Sequence, residues 1–158
     1  MSKLIANFLL AGAWAAAIQP FNAANLAVGF ALGYIVLWVA SPSDRESPYF
    51  KKVFKGIGFA FFTLKELVVA NIKMAVWTVM PLKRLRPMIL AVPIQEDLTD
   101  TEITILSSLI TLTPGTLTMD VSENRRYLFI HFMHVDDPEE AKRDVAEGFQ
   151  RRLLEVTR

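Results

Sequence analysis

The sequence predicts a membrane α-helical hairpin, then a third helix that is amphipathic or transmembrane, then a small α/β domain of β-α-β-β-α order. Three observations carry this prediction. Leu4 to Ser43 is a run of forty residues without one charged side chain, and a helix needs roughly 20 apolar residues to cross a bilayer. That run is interrupted only at Gln19-Pro20-Phe21-Asn22. Beyond it charges return at ordinary density, with helix caps and alternating strands. The expected boundaries are 1–43 for the transmembrane hairpin, 44–87 for a cytoplasmic loop, helix and hinge, and 88–158 for a cytoplasmic α/β domain.

Composition sets the class. An apolar fraction of 53% with 21% charged residues leans away from an ordinary soluble domain. Net charge is only +1, so bulk electrostatics implies no nucleic-acid partner. The charge is uneven: residues 1–80 hold seven basic and three acidic side chains, residues 81–158 ten and thirteen. A basic membrane-proximal half and a mildly acidic soluble half follow. The chain has no cysteine, which excludes disulfides, thiolate metal sites and a cysteine nucleophile.

Leu4 to Ile18 forms the first helix. Lys3, the apolar run and Ala15-Ala16-Ala17 imitate a secretory signal, but a second apolar stretch follows at once, which suits a hairpin better. The small residues Ala11, Gly12, Ala15 and Ala16 let another helix approach. Pro20 ends this helix and Asn22 caps the next. The second helix, Ala23 to Ala40, carries Gly29 and Gly33 as a G-x-x-x-G pair for close helix packing, with Tyr34 and Trp38 toward one interface. Ser41-Pro42-Ser43 breaks it. The loop after it holds Arg45, Lys51, Lys52 and Lys55 against Asp44 and Glu46, so the N-terminus and this loop are assigned to the cytoplasm.

Phe54 to Met80 forms the third helix. Lys55, Lys65, Glu66 and Lys73 share one stripe about 100° wide. As a membrane span the helix puts Lys65 and Glu66 near mid-bilayer, where charges mark function. As an interfacial helix it turns the stripe to water or to a partner. The basic cluster Lys83, Arg84 and Arg86 stays inside only in the second reading, which the charge count therefore favours. Leu82 to Pro87 is a hinge.

Met88 to Ile94 reads as a buried strand with Pro93 at an edge. Thr99 and Glu102 form a capping box, opening a helix to Leu112 with Ile103, Leu106, Leu109 and Ile110 inward. Thr113-Pro114-Gly115 stops it. Thr116 to Val121 alternates, Leu117, Met119 and Val121 on one face and Thr116, Thr118 and Asp120 on the other. Ser122 to Arg125 turns the chain into a partner strand, Arg126 to Met133. Asp137-Pro138-Glu139-Glu140 opens the last helix, whose Ala141, Val145, Phe149 and Leu153 form the buried stripe. This is a ferredoxin-like order without its final strand. Both faces of the last strand are apolar, with Tyr127, Phe129 and His131 on one and Leu128, Ile130 and Phe132 on the other. The first set is expected to dock another subunit or the third helix.

The string Leu106-Ser-Ser-Leu-Ile-Thr-Leu-Thr-Pro-Gly-Thr-Leu-Thr-Met-Asp-Val121, followed by Arg126-Tyr-Leu-Phe-Ile-His131, resembles the E-type subunits of the multisubunit cation/proton antiporters, the Mrp family, also called Mnh or Pha. The preceding hairpin, the third apolar segment and the length match as well. The resemblance implies an accessory subunit of a bacterial or archaeal inner-membrane assembly that exchanges sodium for protons and supports cation and pH homeostasis. The conducting chemistry then belongs to larger subunits. Other subunits and the lipid bilayer are the implied partners.

The residues point to no reaction chemistry. His131 and His134, three apart on a strand, face opposite ways and read as packing and rim residues. Asp136, Asp137, Glu139 and Glu140 read as a cap and solvated first turn. No catalytic residue, cofactor or metal ligand is assigned. Lys65, Glu66 and Lys73 are the candidate intramembrane or interfacial charges. Tyr127, Phe129, His131, Gly29 and Gly33 are the candidate partner-docking residues. The alternatives are a membrane-tethered small-ligand sensor, which requires a polar pocket in 88–158, and a membrane-bound enzyme, which requires convergent polar groups.

Overall fold

A computed structural model describes residues 2–18, 20–41 and 48–158, with Ser2 and Pro48 described by backbone alone. Gln19, the break at Pro42-Ser43 and the loop charges Asp44, Arg45 and Glu46 lie outside the described residues, as does the expected boundary at 43/44. The chain divides into two compact units, Met1–Phe54 and Lys55–Arg158.

The first unit holds α1, Ser2–Ala17, and α2, Ala23–Ala40. Asn22 caps α2 as expected, its side chain accepting from the Asn25 N–H at 2.8 Å. Asn25 in turn donates to the carbonyls of Pro20 at 2.8 Å and Ile18 at 3.3 Å, which satisfies backbone oxygens left over at the end of α1. Glycine-mediated contact holds the two helices antiparallel: Gly29 lies against Ala11 and Trp14, Gly33 against Asn7 and Leu10. Ala11 and Ala15 are fully buried in this seam. Phe8 and Phe30 add a ring pair with centroids 5.3 Å apart. Outward, Phe8, Leu9, Ile35 and Val39 are all more than half exposed, an oily exterior. Among the described residues α2 is the one helix long and apolar enough to cross a membrane; α1, at 16 residues, spans about 24 Å.

A third helix, α3, runs Pro48–Val79, six residues earlier than the sequence predicts, and the division between units falls within it. A 3₁₀ turn, Leu82–Arg84, leads into the sheet unit. There β1, Met88–Pro93, α4, Asp100–Leu112, β2, Thr116–Val121, and β3, Tyr127–Phe132, are followed by a last helix. The sheet is antiparallel throughout in the order β1-β3-β2. Its core is Val92, Leu106, Ile110, Leu128 and Ile130, each no more than 1% exposed, closed by Val145, Leu153 and Leu154.

Two expectations are corrected in detail. The last helix is not one α-helix. It comprises α5, Pro138–Arg143, a π-helical stretch, Asp144–Gln150, and α6, Arg151–Thr157. The sequence spaces its apolar residues every four, which drifts around a 3.6-residue turn; the wider π turn counters that drift and keeps Val145 and Leu153 inward. The second correction concerns β2. Its apolar Leu117 and Met119 are 48% and 56% exposed, while the threonine face lies against α4. The Thr118 hydroxyl donates to the Ser107 carbonyl at 3.3 Å, and a bulge between Thr118 and Asp120 interrupts the alternation.

Candidate interaction surfaces

The Thr-Leu-Thr-Pro-Gly-Thr stretch is a helix stop built from hydroxyls. The Thr113 and Thr116 side chains both donate to the Ile110 carbonyl, at 2.7 and 2.6 Å, adding to the Thr113 N–H, which donates to the same oxygen at 3.2 Å at the end of α4. Thr111 Oγ1 accepts from the Thr118 N–H at 3.2 Å. Gly115 sits at φ +92° with the Trp77 ring 2.9 Å from where a Cβ would stand, so a side chain is excluded both by backbone and by space. Trp77 also lies 5.5 Å from the His134 ring. His134 Nδ1 accepts from the Arg86 N–H at 3.2 Å and Nε2 lies 3.3 Å from Asp136. This histidine ties the hinge to the end of β3.

Along α3, one side packs within its own unit. Phe62 meets Phe149 edge-on at 5.5 Å, Arg152 stacks over Phe62 at 4.1 Å, and Phe59 touches the core. On the opposite side Ile57, Phe61, Leu64, Val68, Ile72, Val76 and Val79 are each more than half exposed and share an arc of about 120°. Lys65 sits at one margin of this arc, with Glu66 and Lys73 beyond it. Lys65 Nζ lies 3.8 Å from Glu66, so the adjacent pair largely cancels its own charge. Lys73 is exposed.

The sheet has a bare outer face. Ile89 is 58% exposed, Tyr127 42% and Phe129 36%. His131, half-buried, stands in register between Ile89 and Leu117. Three of the five docking residues expected from sequence are therefore brought together here. The other two, Gly29 and Gly33, lie in the α1–α2 seam, where this chain's own helix fills the approach they provide. Sequence reasoning missed Asn7. It is fully buried, its Nδ2 donates to the Tyr49 hydroxyl at 2.7 Å, and its Oδ1 packs at Gly33. A lone polar residue inside an apolar run was the available signal. Nearby, the Phe50 ring has Lys3 Nζ 5.1 Å from its centroid and Tyr34 edge-on at 5.2 Å.

The chain end is pinned by a buried carboxylate. Glu102, 6% exposed, accepts from the Thr157 hydroxyl at 2.6 Å and from the Thr99 N–H and hydroxyl at 2.9 and 3.0 Å, with Arg158 at 3.7 Å. The Thr157 hydroxyl, and then the Thr99 N–H, hold its carboxyl down at about 2. The Arg158 guanidinium likewise lowers Asp97. Because Glu102 lies below its unfolded value of 4.5, its contribution is fully present above about pH 4.5 and is lost as pH falls toward 2. Acid unfolding of the wild type in that window should therefore be steeper than that of Glu102→Gln, read by circular dichroism.

For the other two readings, the sites are thin. An open groove of about 620 Å³ runs between α4 and β2, lined by Ser107, Thr111, Thr118 and Asp120 among others. Among the described residues no three His, Cys, Asp or Glu side chains converge on a metal position.

Comparison with known proteins identifies the surfaces' context. The family described as Na+/H+ ion antiporter subunit matches residues 7–156. The E-type Na(+)/H(+) antiporter subunit of Bacillus subtilis (strain 168) is 37% identical over 157 residues, covering 99% of this chain and 98% of the relative. That of Alkalihalophilus pseudofirmus is 33% identical over 156 residues, with 99% and 98% covered. A chain of the membrane-bound sulfane sulfur reductase, an archaeal respiratory membrane complex, matches at TM-score 0.57 and 25% identity, with 96% of each chain covered. The E-type signature in α4, β2 and β3, the full-length relatives and the matching profile agree: the chain belongs to the Na+/H+ antiporter subunit family, as an E-type member.

Proposed function

We propose that this chain is an accessory subunit, structural and regulatory, of a multisubunit sodium/proton antiporter in the cell membrane of a bacterium or archaeon. The single observation that carries the reading is the family match over residues 7–156. The likeness to a chain of a sulfane sulfur reductase complex supports the accessory role, because a fold shared by assemblies with different chemistries is suited to scaffolding rather than to either reaction. In this reading α1 and α2 anchor the chain in lipid, the α/β unit stands in the cytoplasm, and the outer sheet face with Tyr127, Phe129 and His131 meets other subunits. The exposed arc of α3 lies on the apolar side of the cytoplasmic interface, and its lysines reach the headgroups by extending their stems.

The native absence of cysteine makes the topology directly testable. Single cysteines at Lys65, Lys73 and Arg84 are expected to react with a membrane-impermeant maleimide from the cytoplasmic side only. Labelling of Arg84→Cys from outside would mean that α3 crosses the membrane and would overturn this orientation.

A further inference from the structure

The most exposed large apolar side chains among the described residues stand close together in the chain, where α3 ends. Val79 and Leu82 are each 84% exposed. Val79 closes the apolar arc of α3, and Leu82 opens the 3₁₀ turn three residues on. Lys83, Arg84 and Arg86 follow at once, all of them exposed. Among the described residues none of these three cations meets a carboxylate. Arg125, Arg126, Arg151 and Arg158 of the same unit each do. Scarcity of acid is not the reason, since residues 81–158 hold thirteen acidic against ten basic side chains. The turn keeps its cations apart from them.

The backbone of this turn is fixed and largely satisfied. The Met80, Arg84 and Leu85 N–H groups donate to the carbonyls of Trp77, Pro81 and Leu82, and that of Arg86 donates to His134 Nδ1. The Arg86 carbonyl accepts from the Val135 N–H at 3.0 Å. Pro81 and Pro87 have no N–H to leave unpaired. Such a segment gives up little backbone hydration at a membrane surface. Two bare aliphatic side chains followed by three unpaired cations match the layering of an anionic leaflet, acyl chains below and phosphates above. Lysine and arginine stems reach across that boundary. An acidic protein surface would complement the cations but set Val79 and Leu82 against polar groups. We propose that Val79 to Arg86 is a hook for anionic phospholipid: the two aliphatic side chains enter the cytoplasmic leaflet and the three cations bind lipid phosphates. The hook rests on the interfacial reading of α3 and adds a lipid class to it, since headgroup charge then holds the α/β unit at the membrane.

Leu82→Cys in the otherwise cysteine-free full chain, labelled with a polarity-sensitive fluorophore, tests this. The chain is placed in phosphatidylcholine vesicles, with or without about one-third phosphatidylglycerol. The position is solvent-exposed, so the label disturbs no core, and Val79→Cys repeats the measurement. With phosphatidylglycerol present, the label should emit at shorter wavelength and be quenched by spin-labelled lipid. Each cation at an anionic surface favours insertion by about fivefold, so the ratio of inserted to exposed label should rise about a hundredfold over pure phosphatidylcholine. Lys83→Gln, Arg84→Gln and Arg86→Gln should each remove about fivefold of that rise. Equal insertion in both vesicles, or an exposed label in both, would overturn the hook. Release of the label by inorganic phosphate, where chloride at equal ionic strength has no effect, would overturn it too and make the cations a site for free phosphate. In the assembled antiporter in pure phosphatidylcholine, a label shielded from water yet not quenched by spin-labelled lipid would assign the surface to another subunit and overturn the lipid reading. All of these outcomes leave the accessory role standing, whereas labelling of Arg84→Cys from outside would remove the orientation on which the hook rests.

Discussion

Replacing Gly29 with leucine is expected to force α1 away from α2. A Cβ at this position would stand 2.8 Å from the Trp14 Cβ and 2.9 Å from the Ala11 carbonyl oxygen. The second of these is backbone, so no rotamer change relieves it; the helices must separate. Overpacking costs about 1–3 kcal/mol where neighbours can shift, and a helix–helix seam in which Gly29 faces main chain has little freedom to do so. Gly12→Leu is the matched control, since a Cβ there meets nothing within 4 Å. The Gly29→Leu chain should unfold at lower temperature in detergent and leave the assembly on extraction. The Gly12→Leu chain should match wild type in both. Equal behaviour of the two would mean that the seam does not hold the hairpin.

Two neighbours on β3 should fail in opposite ways. Ile130 is fully buried among Leu106, Ile110 and Leu128, and Ile130→Ala removes core contacts worth about 2–5 kcal/mol. A fall in melting temperature of about 10 °C or more follows for a unit of this size. Phe129 faces the other way and is 36% exposed. Phe129→Lys should change stability by no more than about 0.5 kcal/mol, yet abolish co-purification with other antiporter subunits, because it sets a charge in the middle of the face proposed to dock. Stability is read by thermal unfolding of the purified chain, and assembly by affinity capture from native membranes.

Much of this fold was legible because its signals are local. The Asn22 cap, the Thr99–Glu102 capping box and the Asp137-Pro138 start each act within one helical turn, and all appear where the sequence puts them. What was not legible depends on partners distant in sequence or on a change of turn. Glu102 is read locally as a cap, but its tie to Thr157 spans 55 residues. The inward threonine face of β2 contradicts simple hydrophobic alternation, because hydroxyls there are consumed by carbonyls of α4. The π stretch of the last helix is a response to four-residue spacing that an α-helix template does not represent. For the surfaces, Tyr127, Phe129 and His131 were visible as the second apolar face of a strand. Asn7 was hidden by the run around it, and its importance emerges only with Tyr49 and Gly33 beside it.

Placing a photo-crosslinking amino acid at Phe129 and irradiating native membranes tests the docking reading most directly. A covalent product with another subunit of the antiporter, identified by mass spectrometry and lost when Tyr127→Lys on the same face disrupts assembly, is the expected result. If the probe instead reacts only with water or lipid while the complex is intact, the outer sheet face is not where this chain meets its neighbours.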